Sequence, residues 1–113
     1  MNKRLITFYT VLILGVALTV EGYAAEVDLM QKNKTFILKG MEVNRMTIKT
    51  GDTIVFKNGD PFTHNIFSLG QLGTFDLGPF GENEQRKRKF DEPGTVEIEC
   101  AIHPQMFIEV TVE

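Results

Sequence analysis

Apolar and polar residues alternate with a period of two along much of the chain beyond residue 34. In Arg45-Met46-Thr47-Ile48-Lys49, Met46 and Ile48 share a face. Thr53-Ile54-Val55-Phe56-Lys57 pairs Ile54 with Phe56 in the same way. Val96, Ile98 and Cys100 fall together, opposite Glu97 and Glu99. Met106, Ile108, Val110 and Val112 fall together, opposite Glu109, Thr111 and Glu113. Such alternation marks strands with one face buried. Thr50-Gly51-Asp52, Asn58-Gly59-Asp60-Pro61 and Glu92-Pro93-Gly94 supply turns between them. Thr35 to Leu38 and Thr63 to Leu69 read as further strands. In the second, the pattern does not fix the buried face: Phe67 alternates with Leu69, but His64 alternates with Ile66. Gly70 to Glu84 carries several glycines and Pro79, and reads as a long irregular connection with a short strand near Thr74 to Leu77. Arg86-Lys87-Arg88-Lys89 reads as a solvated edge strand, where cations discourage edge-to-edge pairing. A docking patch for an acidic partner is its less favoured reading. About seven to eight short strands at this spacing predict an all-β, Greek-key β-sandwich.

The amino-terminal segment departs from this pattern. Lys3 and Arg4 precede an apolar stretch from Leu5 to Val20, which falls short of the roughly 20 residues a spanning helix needs. Small residues follow it. Cleavage after Ala24 would place Gly22 and Ala24 at the two small positions of a secretory signal, whereas cleavage after Ala25 would place Tyr23 at one of them. The expectation is a signal helix over residues 1–24 and a domain over residues 25–113, periplasmic or secreted, with no stable membrane insertion after cleavage.

Composition narrows the function. The chain has 113 residues, 42% hydrophobic and 24% charged, with a formal net charge of −3. That suits one globular domain and gives no support for nucleic-acid binding, which favours a clustered basic surface. A single cysteine excludes an internal disulfide and a Cys-only zinc site. Two histidines are too few for an enzyme with several metal centres. A small exported domain without disulfides gains from a bound metal.

The candidate chemistry lies in Cys100-Ala101-Ile102-His103-Pro104-Gln105-Met106. Cys100 ends one strand on its buried face, Met106 opens the next on its buried face, and His103 lies in the tight loop between. His64 begins another strand after the turn at Asn58 to Pro61. Two imidazoles, one thiolate and one thioether are the donor set of blue-copper electron-transfer sites, in which a weak axial Met helps to tune the potential. Thiolate and thioether suit Cu(I), and imidazole suits both oxidation states. Zinc is the main competitor, but thioether is not among its usual ligands. No position is left open for a substrate, so electron transfer is expected and catalysis is not.

These residues resemble the cupredoxin (type 1 blue copper) family, most of all its amicyanin- and plastocyanin-like members. The short Cys-x2-His-x2-Met loop is similar to the amicyanin form. Gly51-Asp52-Thr53-Ile54-Val55-Phe56-Lys57-Asn58 resembles the family's Gly-Asp-x-Val-x-Phe/Trp-x-Asn strand, and His64-Asn65 resembles its first-ligand pair. Phe90 through Gly94-Thr95 resembles the approach to the cysteine. The resemblance implies one copper ion on His64, Cys100, His103 and Met106, with Asn65 tying the His64 strand to the Cys100 loop. It implies a monomeric one-electron carrier between transient protein partners such as a dehydrogenase, cytochrome or oxidase. It also implies an exposed apolar patch around His103, made by Phe62, Pro79, Phe80, Ile102 and Pro104. Copper storage or delivery is the alternative function for the same residues.

Overall fold

The computed structural model describes residues 23–70 and 72–113. Residues 1–22 of the segment read as a signal peptide lie outside the described residues.

Ten strands form two five-stranded sheets. The strands are β1 (Glu26–Lys32), β2 (Thr35–Leu38), β3 (Met41–Val43), β4 (Arg45–Ile48), β5 (Thr53–Asn58), β6 (His64–Ser68), β7 (Phe75–Phe80), β8 (Gln85–Lys89), β9 (Gly94–Glu99) and β10 (Phe107–Val112). One sheet runs β3-β2-β1-β5-β8 and the other β4-β10-β9-β6-β7. β1 pairs with β5 and β4 with β10 in parallel, and the remaining pairs are antiparallel. Only Asn44 separates β3 from β4, so the chain passes from one sheet to the other at that residue. The carbonyl of Asn44 accepts the Glu109 N–H at 3.0 Å, which anchors this crossing to β10.

The predicted alternation is seen in the core. Ile54 and Phe56 face inward from one sheet, and Met46, Ile48, Val96, Ile98, Ile108, Val110 and Val112 from the other. Each fully buried aliphatic side chain of this kind contributes about 1.5–3 kcal/mol relative to exposure. The all-β sandwich is therefore as expected, with β1 and β3 additional to the predicted strands. In β1 the inward positions are Leu29 and Gln31, both fully buried, while Met30 is exposed. A polar residue inside and an apolar one outside break the sequence signal. β3 is three residues long and half of its signal, Met41, points to solvent.

β6 explains the ambiguous face of residues 63–69. Its register against β7 shifts between Asn65 and Phe67. This irregularity leaves His64, Asn65 and Ile66 buried in succession and Leu69 exposed. β8 is an edge strand, as its basic run predicts. Its cations are engaged: the Arg86 and Arg88 guanidinium groups lie over the Phe80 and Phe75 rings, and Lys87 pairs with Glu26. Lys89 pairs with Asp91.

Candidate metal centre

Three sheet features converge at one end of the sandwich. β9 and β6 are antiparallel neighbours, so the end of β9 lies beside the start of β6. Cys100 follows β9 directly and His64 opens β6. Between β9 and β10 the chain turns through His103-Pro104-Gln105-Met106, closed by the Met106 N–H donating to the His103 carbonyl at 2.9 Å. Proline at the second position of such a turn fits its required backbone angle.

The donor atoms form a compact triangle. Cys100 Sγ lies 3.7 Å from His64 Nδ1 and 3.7 Å from His103 Nδ1, and the two nitrogens are 3.1 Å apart. The point equidistant from all three lies about 2.0 Å from each, the length of a metal–imidazole bond and slightly short of a metal–thiolate bond. Among the described residues, this is the one cluster of three or more His, Cys, Asp or Glu side chains able to hold a metal ion. Cys100 and His64 are buried and His103 is half-buried. The donor set of two imidazoles and a thiolate fits one copper ion.

The surroundings hold this triangle in place. The Asn65 N–H points at Cys100 Sγ at 3.5 Å, and Asn65 Oδ1 accepts the Ala101 N–H at 2.8 Å. Asn65 thus joins the start of β6 to the Cys100 loop, the contact that the family resemblance implies. His64 Nε2 lies 2.7 Å from Asp60 Oδ2, with both side chains buried. Burial raises the Asp60 pKa, but hydrogen bonds from His64 and from the Asn33 and Lys34 N–H groups outweigh it and hold the carboxyl below its ordinary value. Asp60 escapes a reading of the sequence, because Asn58-Gly59-Asp60-Pro61 reads fully as a turn. Its one signal is the four-residue spacing to His64. Burial lowers the His103 pKa, helped by the nearby His64 and Lys34 charges and opposed by Asp60. The result favours neutral imidazole, the form that binds metal.

Met106 is buried in the core cluster immediately before β10. Phe62 packs against both imidazoles, with ring centroids 5.3 Å from His64 and 5.0 Å from His103. Phe62, Ile102 and Pro104 are exposed, as an outer patch requires. Phe80 is not part of that patch. It is buried, opposite His64 in the β6–β7 ladder and beneath Arg86, because the inward phase of β7 at its end carries the ring into the core.

Compared by sequence, the chain matches no protein-family model and no curated protein. Solved structures are informative. Amicyanin from Paracoccus versutus superposes with a TM-score of 0.65 at 23% identity, over 85% of this chain and 87% of amicyanin. The chain has the cupredoxin fold. A purple cupredoxin from Nitrosopumilus maritimus gives a TM-score of 0.64 at 23% identity, over 77% of this chain and 99% of that one. A copper-containing nitrite reductase from Thermus scotoductus gives 0.67 at 23% identity, over 78% of this chain but only 22% of the reductase. In this cupredoxin fold the donor triangle sits at the end of the sandwich where β6, β9 and β10 meet.

Proposed function

We propose that the protein is a type 1 copper protein that carries single electrons between exported redox partners. The observation that supports this most is the triangle of His64 Nδ1, Cys100 Sγ and His103 Nδ1, sized for one metal ion. Met106 would be the weak axial donor. Bound copper would supply the one-electron couple. The chain's own contribution is rigidity. His64 and Cys100 come from neighbouring strands of one sheet, and Asn65 bonds across them, so the donors need little rearrangement when charge changes. Burial of His64 and Cys100 keeps water from the thiolate and opposes the rapid metal exchange that a delivery protein needs.

His103 is the donor residue nearest solvent, so its ring edge is the route for electrons. Phe62, Ile102 and Pro104 flank it and give a partner a small apolar landing surface. Small interfaces suit brief redox encounters. The protein acts as a monomer and not as an enzyme, with the segment over residues 1–24 directing export and the domain over residues 25–113 carrying the site.

The test is to add Cu(II) to the purified protein and record visible absorption and EPR spectra. The expected result is an intense thiolate-to-copper band with narrow copper hyperfine splitting, lost completely in Cys100→Ser. A blue Cys100→Ser variant, or a colourless wild type, would overturn the assignment.

A further inference from the structure

His64 has no ring nitrogen to spare. Nδ1 faces Cys100 and His103, and Nε2 meets Asp60. The His64 ring is fully buried and the Asp60 side chain is 2% exposed. An ionised carboxylate can only accept a hydrogen bond, so Nε2 carries a proton, and in the neutral ring that binds metal Nδ1 presents the lone pair. A backbone carbonyl would select the same tautomer. A carboxylate adds a full negative charge.

Asp60 is itself held on several sides. Its N–H donates to Asn58 Oδ1 at 2.8 Å. Its Oδ1 accepts the Asn33 N–H at 2.7 Å and its Oδ2 the Lys34 N–H at 3.2 Å. Asn33 and Lys34 form the turn between β1 and β2, with φ of 53° and 58°. Two consecutive left-handed residues make the tight two-residue hairpin turn, and both of its N–H groups reach the Asp60 carboxylate. The nearby lysine ammonium groups are used elsewhere: Lys32 Nζ bonds the Gly59 carbonyl and Lys34 Nζ lies over the Phe62 ring. Among the described residues, His64 is the one side chain paired with the Asp60 carboxylate.

We propose that Asp60 is a positioning residue for the metal centre: its buried carboxylate fixes the tautomer and orientation of His64, and its charge, passed through that ring, favours the more highly charged oxidised metal. The inference rests on the copper reading for its redox part. Its tautomer part concerns the metal-free protein alone. Partners of metal-binding histidines raise ligand basicity, and their loss costs about 10–100-fold in metal affinity.

Asp60→Asn keeps an acceptor for Nε2 and removes the charge, while Asp60→Ala removes both. Relative to wild type, Asp60→Asn should lower the ratio of Cu(II) to Cu(I) affinity about tenfold, a rise of about 59 mV in reduction potential. Asp60→Ala should also bind Zn(II) at least tenfold more weakly. Imidazole ¹⁵N NMR of the metal-free wild type should show His64 as a single Nε2–H tautomer, mixed in Asp60→Ala. An unchanged potential in Asp60→Asn with an intact blue spectrum would overturn the charge effect. His64 protonated at Nδ1 in metal-free wild type, or equal Zn(II) affinity in Asp60→Ala, would overturn the positioning role. A wild type that never gives a type 1 spectrum would instead fail the copper reading, and the NMR and zinc results would still decide for or against the positioning role.

Discussion

Asn58 shows how much one side chain can organise around the site. Its Nδ2 donates to the Phe62 carbonyl at 2.8 Å and the Phe80 carbonyl at 3.1 Å, while its Oδ1 accepts the Asp60 N–H. The bonds to Phe80 and Asp60 are buried and that to Phe62 is part-buried, so Asn58→Ala would remove three bonds and leave buried partners at Phe80 and Asp60 without them. Each net bond is worth about 1 kcal/mol, and an orphaned buried group costs more, so the variant should lose about 2–4 kcal/mol in denaturant unfolding. Single residues also mark how far the site was legible in the sequence. The nearness of Cys100 and His103 was readable because two such donors at short spacing beside a predicted strand end rarely coincide by chance, while the sequence spacing that suggested Met106 is matched in the structure by a buried side chain. His64 joined them through its place after a turn. Asp60 did not, because aspartate in a turn already has a sufficient role there. Phe80 was misplaced because its side depends on the phase of β7, which Gly78 and Pro79 obscure.

Elements are tied to one another by capped turns, and the turn before β5 is sensitive to acid. Asp52 Oδ1 accepts the Ala25 N–H and Oδ2 the Lys49 N–H, both at 2.9 Å. These bonds, that from Ala25 first, with a smaller effect of the Lys49 charge, hold the Asp52 pKa below its ordinary value against the opposing effect of burial. A carboxyl depressed in the folded state contributes stability above its unfolded value of about 3.9, and that contribution is lost as pH falls through the folded value. Asp52→Asn should therefore be less stable than wild type at neutral pH, by about 1–3 kcal/mol from its charge-assisted bonds. The gap should close below about pH 4, as read from denaturant midpoints across pH. Strands that alternate cleanly, such as β4, β9 and β10, were legible. β1 was not, because its pairing with β5 decides its inward face, and a buried glutamine on that face hides the pattern.

At the scale of the molecule, a domain of this size gains little spare stability from its core alone. A metal bound only by the folded state adds to it by mass action. Copper held at about 100 times its dissociation constant should contribute about 2.7 kcal/mol. For a domain of under about 100 residues that corresponds to a rise of about 10–20 °C in Tm. Thermal unfolding with copper and then with a chelator should show the rise and its reversal, and Cys100→Ser should show little of either. The sandwich as a whole was foreseeable from strand spacing, but its parallel pairs were not, since periodicity within a strand carries no information about distant partners.

One of those parallel pairs has a consequence in time. β4 is bonded within its sheet to β10 alone, and 36 residues separate His64 from Cys100. A ribosome makes β4 and His64 long before it makes the segment with Cys100, His103, Met106 and β10. During synthesis the nascent chain therefore offers a passing metal one imidazole and an unfinished sheet. The pocket and the closed sandwich come into being together, when β10 docks beside β4 and β9. Metal selection is thus postponed until β10 has been made and has docked, and the metals available in the compartment where it docks are those from which the site chooses.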